Sequence, residues 1–305
     1  MPQPPDDIAA PTLRLGHCSV EEHARSLCEL RRLPFWWYLG THRLLGNFSL
    51  PFQDGDGNWW YQVKPGLCWA ADCFRPLSSA LRLPFHKAYL GFQCVVGGEE
   101  AANSHLVINA ILDLGVYGVN VIAAIRRAGV RAGFRRCELS VLDAGDRRTI
   151  LGCLTAWNDL STRTGWKHVL EEREFVESWR LLLGCPGESV IVGKNRDTGE
   201  VAGFLIGKII GDTAYVDTIA SRTSEMQSHI NDALVYGFLI NSAQIPCVVK
   251  AHCAIKSYVS QLERFKESLG FHPHPFPART VLRPGVGAVL KRGFPDQYNR
   301  MIGNI

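Results

Sequence analysis

Residues 189–221 limit the fold more than any other stretch: "SVIVGKNRDTGEVAGFLIGKIIGDTAYVDTIAS" holds three apolar, β-branched runs separated by two tight-turn signals. Asp197, Thr198 and Gly199 suit the first turn, and Gly211 with Asp212 suits the second. Connections this short join antiparallel neighbours, so the pattern predicts a three-strand antiparallel meander. Downstream, "INDALVYGFLINSAQ" predicts a helix and "IPCVVKAHC" a strand parallel to the last meander strand, because a helix intervenes. A helix ending in "LERFKESLGF" comes next, then strands at "RTVLR" and "GAVLKR"; the polar helix "EEREFVESWRLLLG" precedes the meander.

A similar rhythm is expected upstream. "KAYLGFQCVV" is a strand candidate, "GGEEAANS" a turn, "HLVINAILDLGVYGVNVIAAIRRAG" a long helical pattern and "RRCELSVLD" a strand, and a "VYG" occurs in both halves. At 305 residues and 46% hydrophobic content the chain suits two domains, read as 1–148, with a loose tail over 1–18, and 149–305. Ser19 and Glu22 of "SVEE" form a capping box for a helix reaching about Arg32. "QDGDGNWWYQV" is a turn leading into a strand; Asp54 and Asp56 open like a calcium loop, but its later ligands are missing, so a plain hairpin turn is expected.

A net charge of +4 is too weak to indicate nucleic-acid binding without a local cluster. The ten cysteines include no C-x-x-C and several lie in apolar runs, which points to reduced core thiols, a cytoplasmic setting and no metal site. "MPQPPDDIAAP" lacks the basic and apolar parts of a signal peptide, and Asn109, Asp113 and Asn120 interrupt the longest apolar segment, so no membrane span is expected.

Within "LERFKESLGF" one lysine stands out. At about 100° per residue, Val259, Leu262, Phe265 and Leu269 form an apolar arc, and Lys266 lies close to its centre. It must either snorkel outward or point its ammonium into a cleft. Gly270 supplies the left-handed position that ends the helix.

Meander, helix, strand, helix closed by leucine-glycine-phenylalanine, then two strands resembles the GNAT N-acyltransferase fold. "RFKESLGF" and "TGWKHVLEEREFVESW" are most similar to the Fem-type (FemAB-like) aminoacyl transferases, which build peptidoglycan cross-bridges and carry phenylalanine-lysine at this point. The resemblance spans roughly residues 150 to 291 and implies an α/β (α+β) class, with tandem GNAT-like domains and mixed, mainly antiparallel sheets. Two departures separate the chain from ordinary acyl-CoA members. "SRTSEMQSHIN" has no glycine where their pyrophosphate loop lies, and Lys266 replaces the tyrosine common in their last helix. The departures fit the Fem-like branch, whose donor is aminoacyl-tRNA, and leave the donor as aminoacyl-tRNA or acyl-CoA; the resemblance implies no tightly bound cofactor, a small-molecule or peptide amine as acceptor, and tRNA as a candidate partner.

Amide formation needs an uncharged amine and a stabilised oxyanion. Asp217, with Tyr215 on the same face of "TAYVDTIAS", is a candidate base or amine-orienting group; Lys266 is the candidate oxyanion or phosphate contact, beside Phe265. Arg126, Arg127, Arg131, Arg135 and Arg136 can grip phosphates, or the first two can complement a helix C-terminus. His252, next to Lys250, is a candidate substrate-binding residue and proton carrier, or a structural histidine. Trp36, Trp37, Tyr38, Trp59 and Trp60 can stack on a base or serve as core. "HPHPF" reads as an extended loop, and no G-x-S-x-G elbow is present. Three functions remain open: a Fem-like acyl or aminoacyl transferase acting on a primary amine, an ordinary acyl-CoA N-acetyltransferase, and a non-catalytic domain pair binding a nucleotide or peptide.

Overall fold

The computed structural model describes residues 8–30, 51–64, 66–78, 89–164, 170–255, 260–295 and 298–299. Helix α1 (Val20–Leu30) leads into strands β1 (Phe52–Gln53), β2 (Trp59–Lys64), β3 (Leu67–Ala70), β4 (Gly91–Val95) and β5 (Ser104–Ile111). Helix α2 (Ala124–Arg136), β6 (Cys137–Val141), α3 (Arg147–Thr164) and α4 (Glu172–Leu183) come next. The meander is β7 (Glu188–Asn195), β8 (Val201–Ile210) and β9 (Thr213–Ser221), after which come α5 (Ile230–Ser242), β10 (Lys250–Ile255), α6 (Ser260–Ser268), β11 (His272–Leu282) and α7 (Val286–Gly293).

Among the described residues all strands join one mixed sheet, in the order β1-β2-β3-β4-β11-β5-β10-β9-β8-β7-β6. The second-half strand β11 lies between β4 and β5, antiparallel to both, and β6 borders β7. Alternation divides the meander's side chains between two cores. Ile191, Leu205, Ile209 and Val216 meet Leu234, Val235 and Phe238 of α5 on one face. Val190, Val192, Phe204 and Ile206 meet Ile150 and Trp157 of α3, Phe175 and Trp179 of α4 and Leu27 of α1 on the other. Complete burial of side chains such as Phe175 and Phe204 stabilises the sheet by about 2 kcal/mol each.

The predicted meander, its two turns and the helices α4 and α5 form as expected. Ser19 and Glu22 make the capping box, each backbone N–H bonded to the other's side chain. Asp54 organises the predicted turn by accepting from the Asp56 and Asn58 backbone and from Trp60 Nε1.

Several expectations need correcting. The long helix expected from His105 is strand β5, a short 3-10 turn over Leu114–Val116, and only then α2. A strand buried over most of its length is hard to distinguish from a buried helix, so the upstream strand–helix–strand unit is β5–α2–β6, with a shorter helix than expected and with β4 outside it. "GAVLKR" is the helix α7, started by Gly285 at φ 83°. "HPHPF" is part of β11: Pro273, Pro275 and Pro277 alternate, so their missing N–H groups face away from β5, and β4 pairs only from Ala278 onward. Residues 8–18 are packed, with Leu13 buried and its N–H donating to Asn241 Oδ1. Trp36, Trp37, Tyr38 and Val259 lie outside the described residues.

Candidate functional site

The parallel ladder between β9 and β10 has three steps, Thr213–Lys250, Ala214–Ala251 and Tyr215–His252. Beyond them β9 continues to Ser221 against β8, and β10 continues to Ile255 against β5, without pairing to each other. Two neighbouring strands that run on unpaired leave a notch between them, and charged residues flank it on both faces of the sheet.

On the α1/α3/α4 face, cross-strand register places Glu188, Lys208, Tyr215 and His252 in one row over four strands. A bulge in the β8–β9 register pairs Gly207 with Val216 and Ile206 with Thr218, leaving Asp217 outside the ladder. Asp217 Oδ2 accepts from Lys208 Nζ at 2.5 Å, with the two side chains 16% and 12% exposed. Burial raises the Asp217 carboxyl above the usual range, and Glu188 adds to the rise while Lys208 opposes it. For Lys208 burial pulls downward, but Asp217 and Glu188 outweigh it and hold the ammonium above its ordinary value. Behind this pair, fully buried His23 of α1 connects Glu188 Oε1, 3.1 Å from its Nε2, to the Tyr61 hydroxyl, 3.0 Å from its Nδ1.

The opposite face carries Lys266 of α6, 3% exposed, whose Nζ donates to Glu263 Oε1 at 2.7 Å. Asn109 of β5 donates its Nδ2 to the same carboxylate at 3.0 Å. The buried stripe of α6 is therefore Glu263, Lys266 and Leu269, spaced at i, i+3, i+6, and Leu262 is 45% exposed, contrary to the predicted apolar arc. Gly270 does take the left-handed position, at φ 94°. Cys253 lies near both pairs: burial pushes its thiol up to about 12, with Asp217 and Glu263 adding to the rise and Lys266 opposing it.

No protein-family model matches the chain, and no curated protein matches it either. Solved structures do. L-PGS from Bacillus licheniformis aligns over 92% of this chain and 97% of its own, with TM-score 0.55 and 14% identity. FemX aligns over 92% and 100%, with TM-score 0.53 and 10% identity. A conserved protein of unknown function from Bacteroides thetaiotaomicron aligns over 89% and 94%, with TM-score 0.55 and 14% identity. The fold is like that of L-PGS and FemX.

Within this Fem-like fold the other predicted residues are distributed unevenly. His252 lies in the notch row, with its ring edge-on to Tyr215 and Phe74. Burial, with Lys208 and Lys266 adding to it, lowers its pKa to about 3. That direction holds the imidazole neutral and suits the structural alternative better than a proton carrier near neutral pH. Tyr215 is buried, its hydroxyl 3.9 Å from Cys73 Sγ. Phe265 is half-buried beneath Arg126, whose guanidinium lies 4.9 Å from the ring centre.

The arginines sit along α2 rather than at the end of a preceding helix, which removes the expected dipole role of Arg126 and Arg127. Arg126 is held by Asp232 at 2.9 Å and by Ser268 Oγ at 2.8 Å. Arg127 Nε donates to the Ile122 carbonyl and Arg136 Nη1 to the Gln227 carbonyl, whereas Arg131 and Arg135 are exposed. Trp60 is core and Trp59 half-buried. The segment before α5 is a 3-10 turn over Thr223–Ser228, ended by His229 in the left-handed region at φ 60°. Asp232, 3% exposed in the first turn of α5, occupies the positive end of that helix. Gly129 of α2 allows this approach, since any side chain there would collide with the Asp232 carboxylate.

Sequence reasoning missed Lys208, Glu188, His23, Tyr61, Glu263 and Asn109. Lys208 had a usable signal, being the one charged residue in "VAGFLIGKII". No helix among the described residues is long and apolar enough to cross a membrane.

Proposed function

We propose that the protein is an acyltransferase that moves an activated acyl or aminoacyl group onto a primary amine, with the β9–β10 notch as its reaction site. The observation carrying this reading is the pair of buried lysine–carboxylate contacts, Lys208–Asp217 and Lys266–Glu263, on either face of the parted strands. An amine must lose a proton before it attacks, and Asp217, held above its usual range by burial, takes that proton. The Lys266 ammonium stabilises the oxyanion formed on the acyl carbonyl. Tyr215, neutral His252 and Phe265 line the substrates' approach. Arg127, Arg131 and Arg135, spaced by one helical turn along α2, contact donor phosphates, and Arg126 and Arg136 brace α2 for that contact.

Aminoacyl-tRNA is the donor favoured over acyl-CoA, and no cofactor is held tightly. A pyrophosphate site needs free backbone amides at a helix start. Here a glycine-free 3-10 turn leads into α5 and Asp232, a carboxylate already paired with Arg126, sits in that first turn. The acceptor is a small-molecule or peptide amine, the sheet comprises two GNAT-like units, 1–148 and 149–305, and ten free thiols suit a cytoplasmic protein.

Transfer from labelled aminoacyl-tRNA pools to amine acceptors, with calorimetry for acetyl-CoA alongside, tests the reading. We expect transfer, and no acetyl-CoA binding at micromolar concentrations. Micromolar acetyl-CoA affinity with acetyl transfer returns the protein to the acyl-CoA enzymes. Ligand binding without transfer from either donor makes it a binding module.

A further inference from the structure

The row across the sheet contains one more carboxylate than the proposed reaction uses. Glu188 has a fully buried side chain whose Oε1 meets His23, while its Oε2 has no hydrogen-bond partner. Leaving a carboxylate oxygen unsatisfied in the interior is destabilising, more so for a charged group than for a neutral one. A fold retains such a group when something needs it at another moment. Directly across the ladder from Glu188 is Lys208, whose ammonium is currently on Asp217. Cross-strand partners have Cβ atoms about 5 Å apart, and a lysine carries three donors on a flexible four-carbon stem. Glu188 Oε2 is thus within a side-chain rotation of Lys208 Nζ.

We propose that Lys208 has two seats, Asp217 Oδ2 at rest and Glu188 Oε2 once Asp217 has taken a proton, so that its movement keeps the buried ammonium opposite an ionised carboxylate during turnover. The inference rests on the reading of Asp217 as the proton acceptor. At rest Asp217 and Glu188 set two negative charges against the one positive charge of Lys208, and proton uptake by Asp217 leaves Glu188 and Lys208 opposed. The acceptor's ammonium nitrogen gives one proton to Asp217 and keeps the electron pair with which it attacks; as the C–N bond forms and the donor's acyl bond breaks, the second proton on nitrogen passes to the departing donor group. Asp217 becomes neutral, and Lys208, still positive, loses its counter-charge there. A buried ammonium facing a neutralised carboxyl is less favourable than one facing an anion, and the carboxylate across the ladder supplies that anion. When Asp217 releases its proton to solvent, Lys208 returns. Lys208 and Glu188 are positioning residues here; neither touches the reacting atoms.

The titratable groups facing this pair are His23 of α1, Tyr61 of β2, Tyr215 and Asp217 of β9, and Cys18, Cys73 and Cys185 of the connecting segments. Burial raises all three thiols and both tyrosines, so they stay neutral at neutral pH and do not compete for the lysine. His23 holds Glu188 by its other oxygen, which leaves Oε2 as the seat.

The test follows the lysine ammonium of the full chain by nitrogen-15 NMR at neutral pH, assigned through its loss in Lys208→Met. Asp217→Asn mimics the protonated carboxyl. There we expect a protected, slowly exchanging Lys208 ammonium that disappears, with exchange at least ~tenfold faster, when Glu188→Gln is added. A crystal structure of Asp217→Asn should place Nζ on Glu188 Oε2. An ammonium indifferent to Glu188→Gln in that background overturns the proposal. Should Asp217→Asn fail to fold, ethylammonium added to the wild-type chain competes for Asp217 instead. The Lys208 signal should then shift in the wild type and not in Glu188→Gln, and a signal that responds alike in both, or in neither, overturns it equally. Neither readout requires turnover. A relocating lysine in a protein without transfer activity would sink the transferase reading alone, and transfer with a stationary lysine would sink this inference alone.

Discussion

The two lysines flanking the notch are held in different ways. Lys266 and Glu263 belong to one helix, three residues apart, so α6 brings them together by its own geometry. Lys208 and Asp217 belong to adjacent strands and meet because a bulge removes Asp217 from the ladder. The helix pair is braced by Asn109 and keeps its charges fixed, whereas the strand pair has a second anion across the sheet. A fixed charge suits oxyanion stabilisation, which requires preorganisation, and a movable one suits proton uptake.

Substitutions can break this contrast, and the largest effect is expected at the strand pair. Asp217→Asn keeps the shape but removes the base, and kcat for transfer should fall by about a thousandfold, within the range of general-base contributions; steady-state kinetics with unchanged circular dichroism is the measurement. At the helix pair, Lys266→Met should lower kcat by roughly a hundredfold and also destabilise the fold by about 3 kcal/mol, because it strands the Glu263 carboxylate in the interior. Adding Glu263→Gln separates the two effects. Denaturant melts of the double variant should recover most of the stability while turnover stays low; recovered turnover would mean that Lys266 only neutralises Glu263.

His252, between the pairs, gives a smaller effect that depends on pH. Its folded pKa of about 3 lies below the unfolded value, so the stability it contributes is complete above about pH 6.5 and is lost as pH falls toward 3. The slope for one proton is about 1.4 kcal/mol per pH unit, and His252→Gln should remove up to that much from unfolding curves measured between pH 6 and pH 4. The smallest effect is expected from Arg127, Arg131 and Arg135 replaced together by alanine. Stability should barely change, and the salt dependence of tRNA binding should flatten by about three in log–log slope. An unchanged slope would reduce these arginines to a solvated surface.

The meander and its neighbours were legible because each turn carried its own chemistry, Asp197-Thr198-Gly199 and Gly211-Asp212, and each strand its own apolar run. Lys266 was legible as a charge at an apolar position. Its partner was not, because Leu262 attracted the apolar reading that the fold gives to Glu263. β5 was misread because burial over most of its length obscures the two-residue period, and α7 because four apolar or small residues before Lys291 suit a strand as well as a helix. His23–Glu188 joins residues 165 positions apart, and Lys208–Asp217, although only nine apart across one hairpin, depends on a bulge in the register; neither is encoded by a local pattern.

The position of β11 affects how the chain acquires its structure. Ser104 Oγ donates to the Ala278 carbonyl across 174 positions of sequence, and β4 and β5 have no ladder to each other except through β11. During synthesis these early strands must therefore wait until Ala278 of β11, 174 positions after Ser104, has left the ribosome. Loop-closure entropy over such a span slows the docking step, and the waiting intermediate is a natural client for chaperones. The same threading means that cutting the chain at its midpoint yields a first fragment with a gap in its sheet.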